Sequence, residues 1–176
     1  MENLSYPIGK FIYPNQASSE QIKQNISVIS NFPERLKREV SSLDDEKLDT
    51  KYRPEGWTIR QVVHHCADSH MQCISRIKMA LTEGNPVIKP YFEDRWAELE
   101  DSQNFSIKPS LQILEGVHER WVILLESLTD ETIQRTYFHP GEHRSITILE
   151  SIFLYSWHCN HHLAHITELK KRKDWT

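Results

Sequence analysis

An apolar stripe that carries a histidine runs along the end of the chain and constrains the fold more than any other feature. Between residues 148 and 169 apolar positions recur at alternating steps of four and three, in the order Ile148, Ile152, Tyr155, Cys159, His162, Ile166 and Leu169. This period predicts one long helix with a single buried face. Because such a helix must bury its stripe against other elements, the rest of the chain has to supply them.

Three further helices are predicted from the same period and from helix-start patterns. Pairs of Ser or Thr with Gln or Glu three residues later precede three of the four helices and indicate capping boxes. Pro33 falls inside the first helix and is predicted to kink it or split it in two. The four predicted helices are 18–43, 58–84, 109–128 and 148–173.

Four amphipathic helices with almost no strand pattern favour an all-α protein, a four-helix bundle. The chain of 176 residues is expected to form a single domain, 1–176. We expect residues 1–17 to form an extended arm, residues 94–99 a short helix, and residues 136–144 a loop. Bundles of this kind hold metal ions in the core between facing helices.

Composition excludes several classes of function. The net charge of −4 and the pI near 6.2 do not indicate nucleic-acid binding. No run of about 18 apolar residues predicts a membrane span, and the first residues lack the pattern of a signal peptide. Three cysteines do not form a disulfide framework. We therefore expect a cytoplasmic protein that binds neither nucleic acid nor membrane.

Four of the ten histidines lie within eight residues of the last helix, a density more typical of a metal site than of separate core histidines. His158 and His162 are four residues apart, the spacing at which two imidazoles can share one metal ion. Both are predicted to face the bundle, whereas His161 lies well round the other side. Periodicity therefore selects His158 and His162 over His161 and His165.

A third ligand has to come from another helix, and the second helix offers two candidates. His70 lies near the middle of its apolar face, and His65 lies about a quarter turn from that centre. Spacing alone does not decide between them. Asp68 favours His65, because ligating imidazoles commonly donate their second N–H to a carboxylate.

Two stretches resemble the YfiT-like branch of the DinB superfamily. They are GWTIRQVVHHCADSHM at 56–71 and YSWHCNHHLAHITEL at 155–169, and shorter matches are LSYPIG at 4–9 and YFHP at 137–140. The resemblance extends over nearly the whole chain. It implies a four-helix bundle, often dimeric, with a divalent metal bound by His65, His158 and His162 between the second and the last long helix. One departure is Cys66, where similar proteins usually have Leu; we expect it to be a small core residue.

Three imidazoles leave at least one coordination position for water or substrate, as catalytic metal sites do. The resemblance implies a metal-dependent hydrolase that acts on a small molecule, with one divalent ion per subunit and a homodimeric assembly. Imidazole ligands suit zinc, nickel, copper and iron about equally, so the sequence does not name the metal. Zinc is the working expectation for the ion in the cell, and nickel is the second.

Two alternatives stay open. Other members of the superfamily transfer a low-molecular-weight thiol such as bacillithiol to electrophiles, and Arg53, Arg60 and Arg95 could bind the carboxylates of such a thiol. The second alternative is a non-catalytic dimer in which the metal only stiffens the bundle, with Cys66, Asp68 or His165 as a fourth ligand.

Acid–base groups are only weakly indicated, because no Glu lies between His158 and His162 as it does in His-Glu-x-x-His proteases. The acid–base candidates are Asp68, Tyr155, His161 and His165. Further candidates for the cavity around the site are Trp57, Trp96, Trp157, His139 and His143.

Overall fold

The structure is a computed structural model that describes residues 4–14 and 16–175, so residues 1–3 and 15 of the predicted arm lie outside it. The elements in chain order are α1 (Ser19–Val40), α2 (Asp45–Leu48), α3 (Ile59–Thr82), α4 (Glu93–Trp96), α5 (Glu100–Gln103), α6 (Lys108–Glu126), a 3₁₀ turn (Thr132–Gln134), β1 (Thr136–His139), β2 (Arg144–Thr147) and α7 (Ile148–Arg172). The long helices α1, α3, α6 and α7 correspond to the four predicted ones.

The long helices begin where the capping patterns predict. The hydroxyls of Ser18, Thr58 and Thr147 each accept a hydrogen bond from a backbone N–H in the first turn. The side chain of the Gln or Glu three residues later accepts one from the backbone N–H of the cap residue. Pro109 lies in the first turn of α6, where its missing N–H costs nothing.

The four long helices close into a bundle. Helix α1 packs against α6 and α7, and α3 packs against the same two, so α1 and α3 lie across the bundle from each other. All seven positions of the apolar stripe on α7 are buried, as predicted. The facing surfaces of α3 and α7 bring the two histidine-rich segments together. The four-helix bundle expected from the sequence is confirmed.

Pro33 does not split the first helix, contrary to one form of the prediction. Helix α1 runs through it without interruption. Ile29, Phe32 and Leu36 around it are fully buried, and their packing holds the helix together despite the missing N–H of Pro33. The carbonyl of Ile29, four residues before the proline, consequently has no donor from position 33.

The prediction of a loop at residues 136–144 is wrong, because this segment contains a strand. Strand β1 pairs antiparallel with β2, and Tyr137 lies opposite Ile146 with both side chains buried. Four-residue strands are too short to show a period of two in the sequence. The helix expected at 94–99 forms at 93–96, and the one-turn helices α2 and α5 were not predicted. None of the helices among the described residues has the length and apolar character needed to cross a membrane.

Thr147→Ala is expected to lower the free energy of unfolding by about 1 kcal/mol, because its hydroxyl accepts the Glu150 backbone N–H at the start of α7. Thr82→Ala is the control, since the Thr82 hydroxyl only bonds back to the carbonyl of Lys78 inside α3. Urea unfolding measures both variants. Equal midpoints for the two would contradict this role of the cap.

Candidate metal centre

His65 on α3 meets His158 and His162 on α7. One ligand nitrogen from each residue lies within 4.8 Å of the other two. The Nε2 atoms of His65 and His158 are 3.2 Å apart, and the rings of His158 and His162 are 4.4 Å apart between centroids. The structure therefore brings together the three residues that the family resemblance implies as ligands.

The imidazoles of His65, His158 and His162 are neutral, so each ring keeps a lone pair on one of its nitrogens. Burial, followed by the neighbouring histidine charges, lowers the pKa of His65 to about 4 and the pKa values of His158 and His162 well below the usual one. The Nδ1 atom of His162 is buried and has no hydrogen-bond partner. Neutral nitrogen donors with an unsatisfied buried atom among them fit a divalent transition-metal ion.

A chain of hydrogen bonds leads from His158 into the core. His158 Nδ1 lies 3.1 Å from His70 Nε2, His70 Nδ1 lies 2.7 Å from His118 Nε2, and His118 Nδ1 lies 2.7 Å from the carbonyl oxygen of Ile29. That carbonyl is the one that Pro33 leaves without a donor from position 33. Three helices, α7, α3 and α6, thus contribute one imidazole each, and α1 contributes the last acceptor.

The carbonyl oxygen of Ile29, which ends this series of hydrogen bonds, determines which nitrogen donates in each of them. A carbonyl oxygen only accepts, so His118 donates from Nδ1 and keeps a lone pair on Nε2. Burial lowers the pKa values of His70 and His118, so both rings are neutral and carry one proton each. His70 then donates from Nδ1 to His118, and His158 donates from Nδ1 to His70. The Nε2 lone pair of His158 is left facing His65 and is free for a metal ion.

This arrangement explains why spacing could not decide between His65 and His70. Both residues lie at the candidate centre, His65 in the group of three candidate ligands and His70 hydrogen-bonded to His158 Nδ1. His118 was not predicted, although it lies four residues after Leu114 and three before Trp121 on the buried face of α6. A histidine on the buried face of α6 was the sequence feature that could have indicated a hydrogen-bonding partner in the core.

The structure contradicts the placement of His161 on the far side of the last helix. His161 is 8% exposed and His165 is 3% exposed, and with His162 they form a second group of nitrogens within 4.8 Å of one another. Trp157 stacks on His161 at 4.3 Å and Tyr52 stacks on His165 at 3.9 Å. The N-terminal arm and the segment before α3 cover this side of α7, which a helical wheel treats as solvent.

A cavity of about 580 Å³ opens onto both histidine groups. Its walls come from α3, α7, the arm, the segment before α3, the segment around α4 and the hairpin. Trp57, Trp157 and His139 line it, as anticipated, whereas Trp96 and His143 do not appear among its described lining residues. A cavity of this size accommodates a small molecule next to the centre.

Tyr155, one of the acid–base candidates, lies on the cavity wall with its hydroxyl already engaged. The hydroxyl donates to the carbonyl of Ser69 at 3.1 Å and lies 3.2 Å from the Ser69 hydroxyl. Burial raises the pKa of Tyr155, so the phenol keeps its proton. His161 and His165 also line the cavity, and each has a buried Nδ1 atom without a partner.

The three arginines considered for substrate carboxylates occupy different surroundings. Arg60 is bound to Asp49 at 2.6 Å and Asp45 at 2.8 Å, away from the cavity. Arg95 lies over the Phe92 ring, and only Arg53 lines the cavity. A fourth arginine, Arg76, lines the cavity too and was not predicted.

The groups expected nearest to His65 are not positioned to assist it. Cys66 is a fully buried thiol whose pKa is raised by burial, so it stays protonated. Asp68 makes no hydrogen bond to His65 within the described part of the chain, and it is absent from the described cavity lining. Burial, followed by the charge of Asp101, raises the pKa of Asp68 to about 6.

Asp68→Asn is expected to stabilise the protein at neutral and higher pH. The folded-state pKa of Asp68, about 6, exceeds the ordinary value of 3.8, so its contribution to stability falls as pH rises from about 4 to 6. At about pH 8 the variant should melt about 2–4 °C higher than the unmodified protein, a gain kept small by the partial exposure of Asp68.

At about pH 3.5 the difference should nearly vanish, because the carboxyl is then protonated in the folded protein. The exposed Asp130 provides a control, and Asp130→Asn should change the melting temperature little at either pH. An Asp68→Asn variant that melts lower than the unmodified protein at about pH 8 would show that the ionised carboxylate is stabilising.

Comparison with known proteins identifies the family and supports the fold. The DinB superfamily profile matches residues 29–166. The protein named "Putative metal-dependent hydrolase YfiT" from Bacillus subtilis is 47% identical over 174 residues, which covers 99% of this chain and 98% of that protein. A relative from Oceanobacillus iheyensis with the same type of name is 50% identical over 173 residues, covering 98% and 99%.

Solved structures agree in fold. The structure of Bacillus subtilis YfiT, described as a probable metal-dependent hydrolase with an unusual four-helix bundle topology, matches with a TM-score of 0.96 at 46% identity over 99% of both chains. A mycothiol-dependent maleylpyruvate isomerase shares the fold alone, with a TM-score of 0.65 at 13% identity over 82% of this chain and 60% of that one. The chain belongs to the DinB superfamily and is similar over its whole length to the YfiT proteins of that family.

Proposed function

We propose that this protein is a metal-dependent hydrolase whose divalent ion is bound by His65, His158 and His162. The observation that carries this proposal is the convergence of three neutral imidazoles at the wall of a cavity of about 580 Å³. The names of the relatives support it, because they describe metal-dependent hydrolases.

When bound, the ion would supply a Lewis acid that polarises a substrate oxygen and lowers the pKa of water. A structural ion would normally take a fourth protein ligand. The group around His65 has three members among the described residues, and none of Cys66, Asp68 and His165 belongs to it; His165 is grouped with His161 and His162 instead. This donor set favours catalysis over the alternative of a metal that only stiffens the bundle.

The chain's own residues prepare the centre by fixing protons. The bonds from His158 to His70 and on to His118 hold the His158 proton at Nδ1 and keep Nε2 free. Tyr155 keeps its proton in the bond to Ser69 and forms part of the wall. His161 lines the same cavity and is neutral, since burial lowers its pKa to about 4.

Zinc is our proposal for the ion, with nickel as the second choice, because three imidazoles accept either metal. Elemental analysis of the purified protein distinguishes them. The homodimer implied by the resemblance also stays a prediction, and the mass in solution would test it.

His158→Ala and His162→Ala are each expected to abolish metal binding, from about one ion per chain to nearly none, because two imidazoles hold a divalent ion far less tightly than three. Turnover of an ester and amide panel should fall with the metal. The measurements are metal content by mass spectrometry and hydrolysis rates on the same samples.

His139→Ala is the matched control, since His139 lines the same cavity without belonging to either histidine group. It should keep its metal. Turnover that persists in metal-free variants would refute a metal-dependent reaction. Turnover of a thiol with an electrophile, but of no ester or amide, would replace hydrolysis by thiol transfer.

His118→Leu is expected to weaken zinc binding by about 10- to 100-fold although His118 does not touch the centre. Leucine cannot accept the proton of His70 Nδ1, so the tautomer of His158 is no longer fixed. A competition titration with a chelator measures the affinity, and circular dichroism confirms that the bundle is intact.

His118→Gln supplies the matched rescue. A glutamine amide can donate its N–H to Ile29 and accept from His70 through its oxygen, so affinity should return to within about threefold of the unmodified protein. Equal losses in the leucine and glutamine variants would show that His118 acts through packing and not through its hydrogen bonds.

A further inference from the structure

Arg76 occupies the same face of α3 as His65. The two residues are 11 positions apart, which is close to three full turns and about 16 Å of helix rise. Ser69 lies between them, and all three line the cavity. One wall of the cavity therefore carries a metal-ligand position toward one end and a guanidinium toward the other.

The guanidinium of Arg76 lacks a counterion in the described part of the chain. Arg76 is 8% exposed, its Nε atom is buried without a hydrogen-bond partner, and none of the salt bridges in the described residues includes it. Arg60, which is 4% exposed on the same helix, is by contrast bound to two aspartates. Burying a cation without a partner is costly, so an unpaired arginine at a cavity wall indicates a missing anion.

Acidic residues at the cavity mouth do not fill this role. Glu142 is already bound by the Tyr13 hydroxyl at 3.0 Å and by Arg144 at 3.3 Å. Glu93 and Asp94 also line the cavity, but both are exposed at its rim, and neither forms a salt bridge with Arg76.

Two neutral donors accompany Arg76. His139 Nδ1 accepts the backbone N–H of Glu142 at 3.2 Å, so the neutral ring carries its proton on Nε2. Burial raises the pKa of Tyr91, so its phenol also keeps a proton to donate. Tyr91, His139 and Arg76 all line the same cavity, from the segment before α4, the hairpin and α3 respectively.

We propose that Arg76, with Tyr91 and His139, forms a subsite that binds a carboxylate or phosphate group of the substrate. A guanidinium offers two parallel N–H donors that match the oxygens of either group. The proposal rests on the proposed function: the substrate would be an anionic small molecule whose anionic group is held by Arg76 while its reacting bond lies near His65, His158 and His162.

Thermal unfolding of the full chain with added inorganic phosphate or acetate tests the subsite. Chelator-treated protein is used first, because it reports anion binding without any metal. Phosphate or acetate should raise the melting temperature of the unmodified protein, and the anion that binds more tightly identifies the group. Arg76→Met should weaken that binding by at least about tenfold, the loss expected when one charge-assisted pair is removed.

The stability of the variants in the absence of anion separates a binding role from a structural one. Arg76→Met should melt at the same temperature as the unmodified protein or higher, because it removes an unpaired buried charge. Arg76→Gln provides a second variant that stays polar and should also lose anion binding. Arg38→Met, at an exposed arginine of α1, is the control and should bind the anion normally.

Anion binding that survives equally in both Arg76 variants, or is absent from the unmodified protein, would overturn the subsite. So would an Arg76→Met protein that is less stable than the unmodified one without anion. Failure of the proposed function looks different: the zinc-loaded protein would hydrolyse nothing while the anion still bound at Arg76.

Discussion

Proline at position 33 leaves the carbonyl of Ile29 without a donor from position 33 of its own helix, and His118 of the neighbouring helix α6 supplies one. This hydrogen bond holds the proton of His118 on Nδ1. His70 then donates from Nδ1 to His118, and His158 donates from Nδ1 to His70. The Nε2 lone pair of His158 at the candidate metal centre therefore depends on a backbone oxygen three hydrogen bonds away. The bond is possible only because α1 packs against α6.

The buried imidazoles of His158, His70 and His118 satisfy their hydrogen-bonding nitrogens by pairing with one another. A neutral histidine has one donor and one acceptor, so a row of them needs only one acceptor at its end. Burial lowers the pKa of every ring in the row and keeps it neutral. Uncharged rings in turn leave the affinity of the centre for a cation undiminished by repulsion.

Patterns local to one helix were predictable from the sequence. The seven buried positions on α7 and the three capping boxes follow from spacing that the helix itself imposes. The role of His118 and the unpaired state of Arg76 depend on how separate helices meet, so spacing within one helix does not show them. His161 was misplaced because the helical wheel assumes water beyond the apolar face, where the structure has the N-terminal arm.

The N-terminal arm and the long helices contribute different parts of the candidate site. The arm's described residues, 4–14 and 16–17, form no helix, and they are bonded to α7 by Trp157, which donates to the Gly9 carbonyl, and by His165, which donates to the Ser5 carbonyl. The histidines of the candidate metal centre lie on the long helices, whereas the arm supplies part of one cavity wall. The contour of the cavity can therefore be altered through the arm without changing any of the hydrogen bonds that join His158, His70 and His118.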